Sequence, residues 1–127
     1  MKTSSICLVM AGAALLSIPA LDAFAQSDPP AQQTPGWAVV NARAELVDGQ
    51  NVTNVKHTGK GHYEVDFSGP VNRCAYTATI GGDNKVTQPG SIVVGRTKGV
   101  NNAVIVAIYD VVTLVPENNR FMLNVSC

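Results

Sequence analysis

Apolar and polar residues alternate strictly through several short stretches of this chain. In 62–67, Tyr63, Val65 and Phe67 point one way, and His62, Glu64 and Asp66 point the other. In 73–80, Cys74, Tyr76, Ala78 and Ile80 share a face opposite Arg73, Thr77 and Thr79. In 121–127, Phe121, Leu123, Val125 and Cys127 face away from Asn124 and Ser126. A first run places Ala38, Val40, Ala42, Ala44 and Leu46 on one side, with Asn41, Arg43 and Glu45 outside. A period of two is the mark of a strand with one dry and one wet face. No stretch keeps the i, i+3, i+4 spacing of an amphipathic helix.

Turn signals separate the runs: Asp48-Gly49, Thr58-Gly59-Lys60-Gly61, Ser68-Gly69-Pro70, Gly81-Gly82-Asp83-Asn84, Pro89-Gly90, Lys98-Gly99 and Pro116-Glu117-Asn118-Asn119. That rhythm predicts an all-β fold, an antiparallel β-sandwich or small barrel of about seven short strands. Residues 103–109 break the alternation by being apolar on both faces. They form either a central strand covered on both sides, which is the simpler reading, or part of a subunit interface.

The first 25 residues read as an address rather than as fold. Lys2 supplies a positive end, Ile6 to Leu21 is uncharged and apolar, and Ala23-Phe24-Ala25 places small residues before a cut between Ala25 and Gln26. The apolar run is shorter than the roughly 20 residues a spanning helix needs. Removal of this signal peptide leaves 102 of the 127 residues and no further segment able to span a membrane as a helix. The expected destination is the periplasm or the exterior. Residues 26–35 hold three prolines and three glutamines and are expected to form a flexible leader before a single β-domain at 36–127.

Of three cysteines, Cys7 lies in the signal, leaving the even pair Cys74 and Cys127. Both fall on the inward parity of their strands, and export favours oxidation. A bridge would close a loop of about 53 residues and stabilise the domain by about 4 kcal/mol on a chain-entropy estimate.

Composition narrows function. Nine basic groups balance nine acidic ones, and 46% of residues are apolar. Such a chain is neither a nucleic-acid binder nor disordered. His57 and His62 flank a turn and could face each other across a hairpin, enough for a weak metal site or for an extracellular hydrolase or metal-dependent enzyme. A closed zinc site wants four ligands, and two exposed polar residues beside a turn are the simpler account. Ser27, Ser68, Ser91 and Ser126 lie in no Gly-x-Ser-x-Gly elbow. Glu64 and Asp66 share an outward face, as charges on a solvated strand do. Asn51-Val-Thr and Asn124-Val-Ser match the glycosylation sequon, which carries no weight in a chain with a bacterial-type signal. Trp37 serves either to stack on a sugar or to pack against a loop.

Gly61-His-Tyr63-Glu-Val65-Asp-Phe67, Cys74-Ala-Tyr76-Thr-Ala78-Thr-Ile80-Gly81 and Phe121-Met-Leu123-Asn-Val125-Ser-Cys127 together resemble a group of small secreted bacterial β-rich domains of uncharacterised function. The resemblance runs from about Trp37 to the C-terminus. It implies an exported β-module with its two cysteines paired, and it brings no activity, cofactor or catalytic residue. Modules of this kind accompany fibre-like or surface proteins. Residues 111–115 depart from the pattern, being more apolar than the polar loop expected there. The expectation is therefore an exported non-enzymatic module without cofactor, binding a protein or glycan. The alternatives are the histidine-based enzyme and a subunit of a surface or fibre-like assembly, a homo-oligomer joined through 103–115.

Overall fold

A computed structural model of the chain describes residues 31–82 and 88–127. The signal segment, its cut between Ala25 and Gln26, residues 26–30 and the Asp83-Asn84 turn signal lie outside the described residues. Eight strands follow in order: β1 (Gly36–Val40), β2 (Leu46–Gln50), β3 (Val52–Gly59), β4 (His62–Phe67), β5 (Ala75–Ile80), β6 (Ser91–Arg96), β7 (Ala103–Tyr109) and β8 (Phe121–Ser126). No helix occurs among the described residues.

The strands form two four-stranded antiparallel sheets. Sheet A has the order β2-β1-β8-β5 and sheet B the order β3-β4-β7-β6. β2 lies against β3 and β5 against β6, but among the described residues no ladder joins the two sheets. The fold is therefore a sandwich rather than a closed barrel.

The four inner strands build the core. Ala38 and Val40 of β1 and Phe121, Leu123 and Val125 of β8 face Tyr63, Val65 and Phe67 of β4 and Val104, Val106 and Ile108 of β7. All of these are at most 2% exposed. Burying each larger side chain stabilises the fold by about 1.5–3 kcal/mol. The edge strands contribute half-buried residues, Tyr76, Ala78 and Ile80 from β5 and Ile92 and Val94 from β6. Alternation in β4, β5 and β8 thus records the dry face of each strand.

Three expectations need correction. The first run is two strands, not one, which accounts for eight strands against about seven. Asn41 ends β1 because its Oδ1 accepts the backbone N–H groups of Arg43 and Glu45, at 3.0 and 2.9 Å. Ala44 adopts a φ of 63° in the turn that follows. Local side-chain acceptors of this kind compete with ladder bonds and favour turns. Asp48-Gly49 is not a turn but lies inside β2. The chain instead bends at Asn51, where it passes from β2 in sheet A to β3 in sheet B; this residue has a φ of 61°, and its Nδ2 donates to Pro35 C=O at 2.7 Å. Asparagine tolerates this left-handed conformation better than most residues. Finally, β7 is an inner strand but is covered on one side alone: Ile105 on its outward face is 37% exposed.

The described part of the leader is tied to the domain. Thr34 N–H donates to Pro70 C=O at 2.7 Å, and Arg73 N–H donates to Gln33 Oε1 at 2.8 Å. Among the described residues, the domain's hydrogen bonds thus reach back to Gln33.

Cys74 and Cys127 form a disulfide across 53 residues of sequence, with Cα atoms 4.3 Å apart. It joins the segment leading into edge strand β5 to Cys127, just past the end of β8. Reduction should lower the stability by about 2–4 kcal/mol and the Tm by about 20 °C. Calorimetry with and without reductant measures this, and an unchanged Tm would show that the bridge does not hold the fold.

Candidate functional site

The two histidines do not face each other. His57 pairs with Tyr63 across the β3–β4 ladder, so it shares the face of Tyr63, whereas His62 lies on the opposite face with Glu64 and Asp66. His57 stacks on the Tyr63 ring at 5.1 Å, and its Nε2–H donates to Asn118 Oδ1 at 3.0 Å. His62 donates from Nδ1 to Lys60 C=O at 2.9 Å and meets Tyr109 edge-on. Each ring is engaged by its own neighbours. Among the described residues, no group of three or more His, Cys, Asp or Glu side chains is placed to hold a metal ion.

The outward carboxylates are bridged rather than poised. Lys56, opposite Glu64 in the ladder, places its Nζ 3.0 Å from Asp66 and 3.8 Å from Glu64. The hydrogen bond to Asp66 leads in holding the Lys56 ammonium above its ordinary pKa, followed by the charges of Asp66 and Glu64. This is the solvated charged face that alternation predicts. The two sequon amides are also occupied, Asn51 by Pro35 and Asn124 by Ser126 Oγ at 3.1 Å. Cys74 and Cys127, joined to each other, offer no thiol.

A different surface forms a groove. Antiparallel register across β1, β8 and β5 places Trp37, Asn124 and Thr77 in one row on the outward face of sheet A. Val39, Met122 and Thr79 form the next row. These six side chains line a groove of about 230 Å³. None of them is ionisable. Trp37 is 36% and Met122 43% exposed, so the groove presents two large apolar side chains to its contents. Gly82, with a φ of 111°, passes over Met122 and Val39 so closely that a Cβ there would collide with the Met122 side chain. Only glycine lets the chain leave β5 by this path. The groove can hold apolar side chains by burial, with the indole as a flat wall. Among the described residues its lining carries no ionisable side chain. Of its residues, Trp37 stands out in the sequence as the sole tryptophan. Val39 and Met122 were legible only as apolar residues on the outward parity of their strands.

Another exposed apolar feature is the connection from β7 to β8. Asp110 Oδ1 accepts the backbone N–H groups of Val112 and Thr113, both at 2.8 Å, and the Thr113 hydroxyl at 3.1 Å. Leu114 N–H donates to Asp110 C=O and Asp110 N–H to Val115 C=O, closing a tight turn. The turn presents Val112 and Leu114 at 85% and 70% exposure. Farther along, Asn118 Oδ1 accepts from Gly61 N–H at 2.7 Å as well as from His57. The excess of apolar residues at 111–115 is thus displayed, not buried.

Hydrogen bonds from Thr113 N–H and then Val112 N–H hold the Asp110 carboxyl below the ordinary carboxylate range. A lowered folded-state pKa means the ionised group stabilises the turn above its ordinary pKa. That contribution fades as pH falls from there through the lowered value. An NMR titration should place the Asp110 midpoint below that of an unperturbed aspartate, and Asp110→Asn should speed amide exchange at Val112 and Thr113. A midpoint at or above the ordinary value would contradict this account of the turn.

No family model matches the chain, and no curated protein or solved structure shows a detectable similarity to it.

Proposed function

We propose that this protein is an exported, non-enzymatic binding module, and that it takes up an apolar projection of a protein partner on the outward face of sheet A. The observation that carries this reading is the groove itself, uncharged, apolar and walled by Trp37 and Met122. Solvent-facing strands of a sandwich are normally polar. An exposed tryptophan and methionine set over a hollow mark an interaction surface. A sugar would need convergent polar groups around its hydroxyls, and Asn124, Thr77 and Thr79 alone supply them here, so a protein ligand fits better than a glycan. A disulfide accords with export, as does the leader in the sequence. No helix among the described residues is long and apolar enough to cross a membrane.

The separation of His57 from His62 and the Lys56 bridge between Glu64 and Asp66 support a non-enzymatic reading. So does the absence of ionisable groups from the groove lining.

Trp37 is the sole tryptophan of the chain, so its emission reports on the groove. A flexible peptide carrying isolated leucines should shift that emission to the blue, and chito- and cello-oligosaccharides should leave it unchanged. Thr79→Glu should weaken the peptide response by about tenfold or more, because burying a charge in an apolar site is costly, while the Tm stays unchanged. A response to the oligosaccharides, or none to the peptide, would overturn the proposal.

A further inference from the structure

We infer that the projection which fits the groove is the 111–115 turn of a second copy of this chain, so that copies join head to tail. The inference rests on the groove being a binding site and names its occupant.

The first argument is the conformation of Leu114. It is 70% exposed and has a φ of 57°. A branched side chain disfavours that left-handed region, which asparagine or glycine would occupy with less strain. Exposure and backbone both count against leucine here, and the core makes no use of it. An outlier on this scale points to a role outside the fold. Contact with a partner supplies one.

The second argument is charge. The groove is lined by uncharged side chains, and 111–115 is Val-Val-Thr-Leu-Val. The acid at the foot of the turn, Asp110, directs one carboxylate oxygen into the turn to accept three hydrogen bonds. Docking the turn therefore strips water from no ion along the groove lining. The whole chain has zero net charge, so copies do not repel one another at long range.

The third argument is geometry. The turn is fixed to the end of β7 in sheet B by the Asp110–Val115 and Glu117–Ile108 backbone bonds, whereas the groove lies on sheet A. The turn therefore docks into another copy. Its conformation is set before contact, which limits the entropy lost on docking. Two different surfaces meet in such a contact, so it propagates into a chain or ring unless two copies engage each other reciprocally, turn in groove on both sides. The four aliphatic side chains of the turn offer an apolar patch of a few hundred Å². That is small beside the roughly 1,000 Å² of a stable interface, so association is weak and rises with concentration.

The test uses the protein purified after export, with its disulfide intact, in sedimentation runs from about 1 to about 500 µM. The unaltered protein should pass from monomer to dimer or larger species. Leu114→Asp, which suits the positive φ, and Thr79→Glu should each weaken association by about tenfold or more. An equimolar mixture of the two variants should form a dimer and nothing larger, because one variant keeps its groove and the other its turn. Val112→Asp serves as a second turn variant. Unaltered protein that stays monomeric throughout would overturn the inference, as would a mixture that stays monomeric. If the leucine-bearing peptide still shifts Trp37 emission in such a protein, self-docking fails and the groove remains a binding site; if it does not, both readings fail.

Discussion

Tyr63 has no solvent exposure, yet it carries a hydroxyl, and a buried hydroxyl is costly unless it is paired. The pairing orders one end of the domain. The hydroxyl donates to Ala42 C=O in the β1–β2 turn at 3.0 Å and accepts from Asn119 N–H just before β8 at 3.3 Å. The ring meets Phe121 across the two sheets at 5.1 Å and carries His57 on its other flank. Asn119, itself 5% exposed, passes the order on by donating to Gln88 C=O and accepting from Arg120 N–H. Burial raises the pKa of Tyr63, and the Asn119 N–H opposes that rise, so the hydroxyl remains a donor across the physiological range. One residue of β4 thus fixes the turn that splits the first run, the start of β8 and the root of the segment that displays Leu114.

The opposite end of the sandwich is held in another way. There the disulfide joins the approach to β5 to the chain terminus, and Tyr76 OH donates to Val71 C=O. Val71, itself fully buried, belongs to the same core cluster as Phe67. A hydrogen-bonded tyrosine at one end and a covalent bridge at the other leave the sheet faces between them free for contacts outside the fold. Sheet A uses its outer face for the Trp37 groove, while sheet B carries the Lys56–Asp66 pair.

What the sequence made legible is whatever depends on one strand at a time. Period-two alternation in β4, β5 and β8 identified their dry faces, and the inward parity of Cys74 and Cys127 accompanied their pairing. The failures came where a local hydrogen bond overrode the pattern. Ala42 and Ala44 continued the alternation through a turn that Asn41 had already begun, so one strand was read where two exist. The chain bends from one sheet to the other at Asn51, and Asp48-Gly49 lies within β2. The groove was out of reach because Val39, Thr79 and Met122 come from strands distant in sequence, and only the order β1-β8-β5 makes them neighbours. The apolar excess at 111–115 was visible in composition, whereas its rigid display depends on the side chain of Asp110.

The role given to Tyr63 is tested most directly by Tyr63→Phe, which keeps the ring and removes the hydroxyl. Ala42 C=O and Asn119 N–H then lose a buried partner, so stability should fall by about 1–2 kcal/mol, and hydrogen exchange at the Asn119 amide should quicken by about tenfold. Unchanged stability together with unchanged exchange at Asn119 would contradict the account.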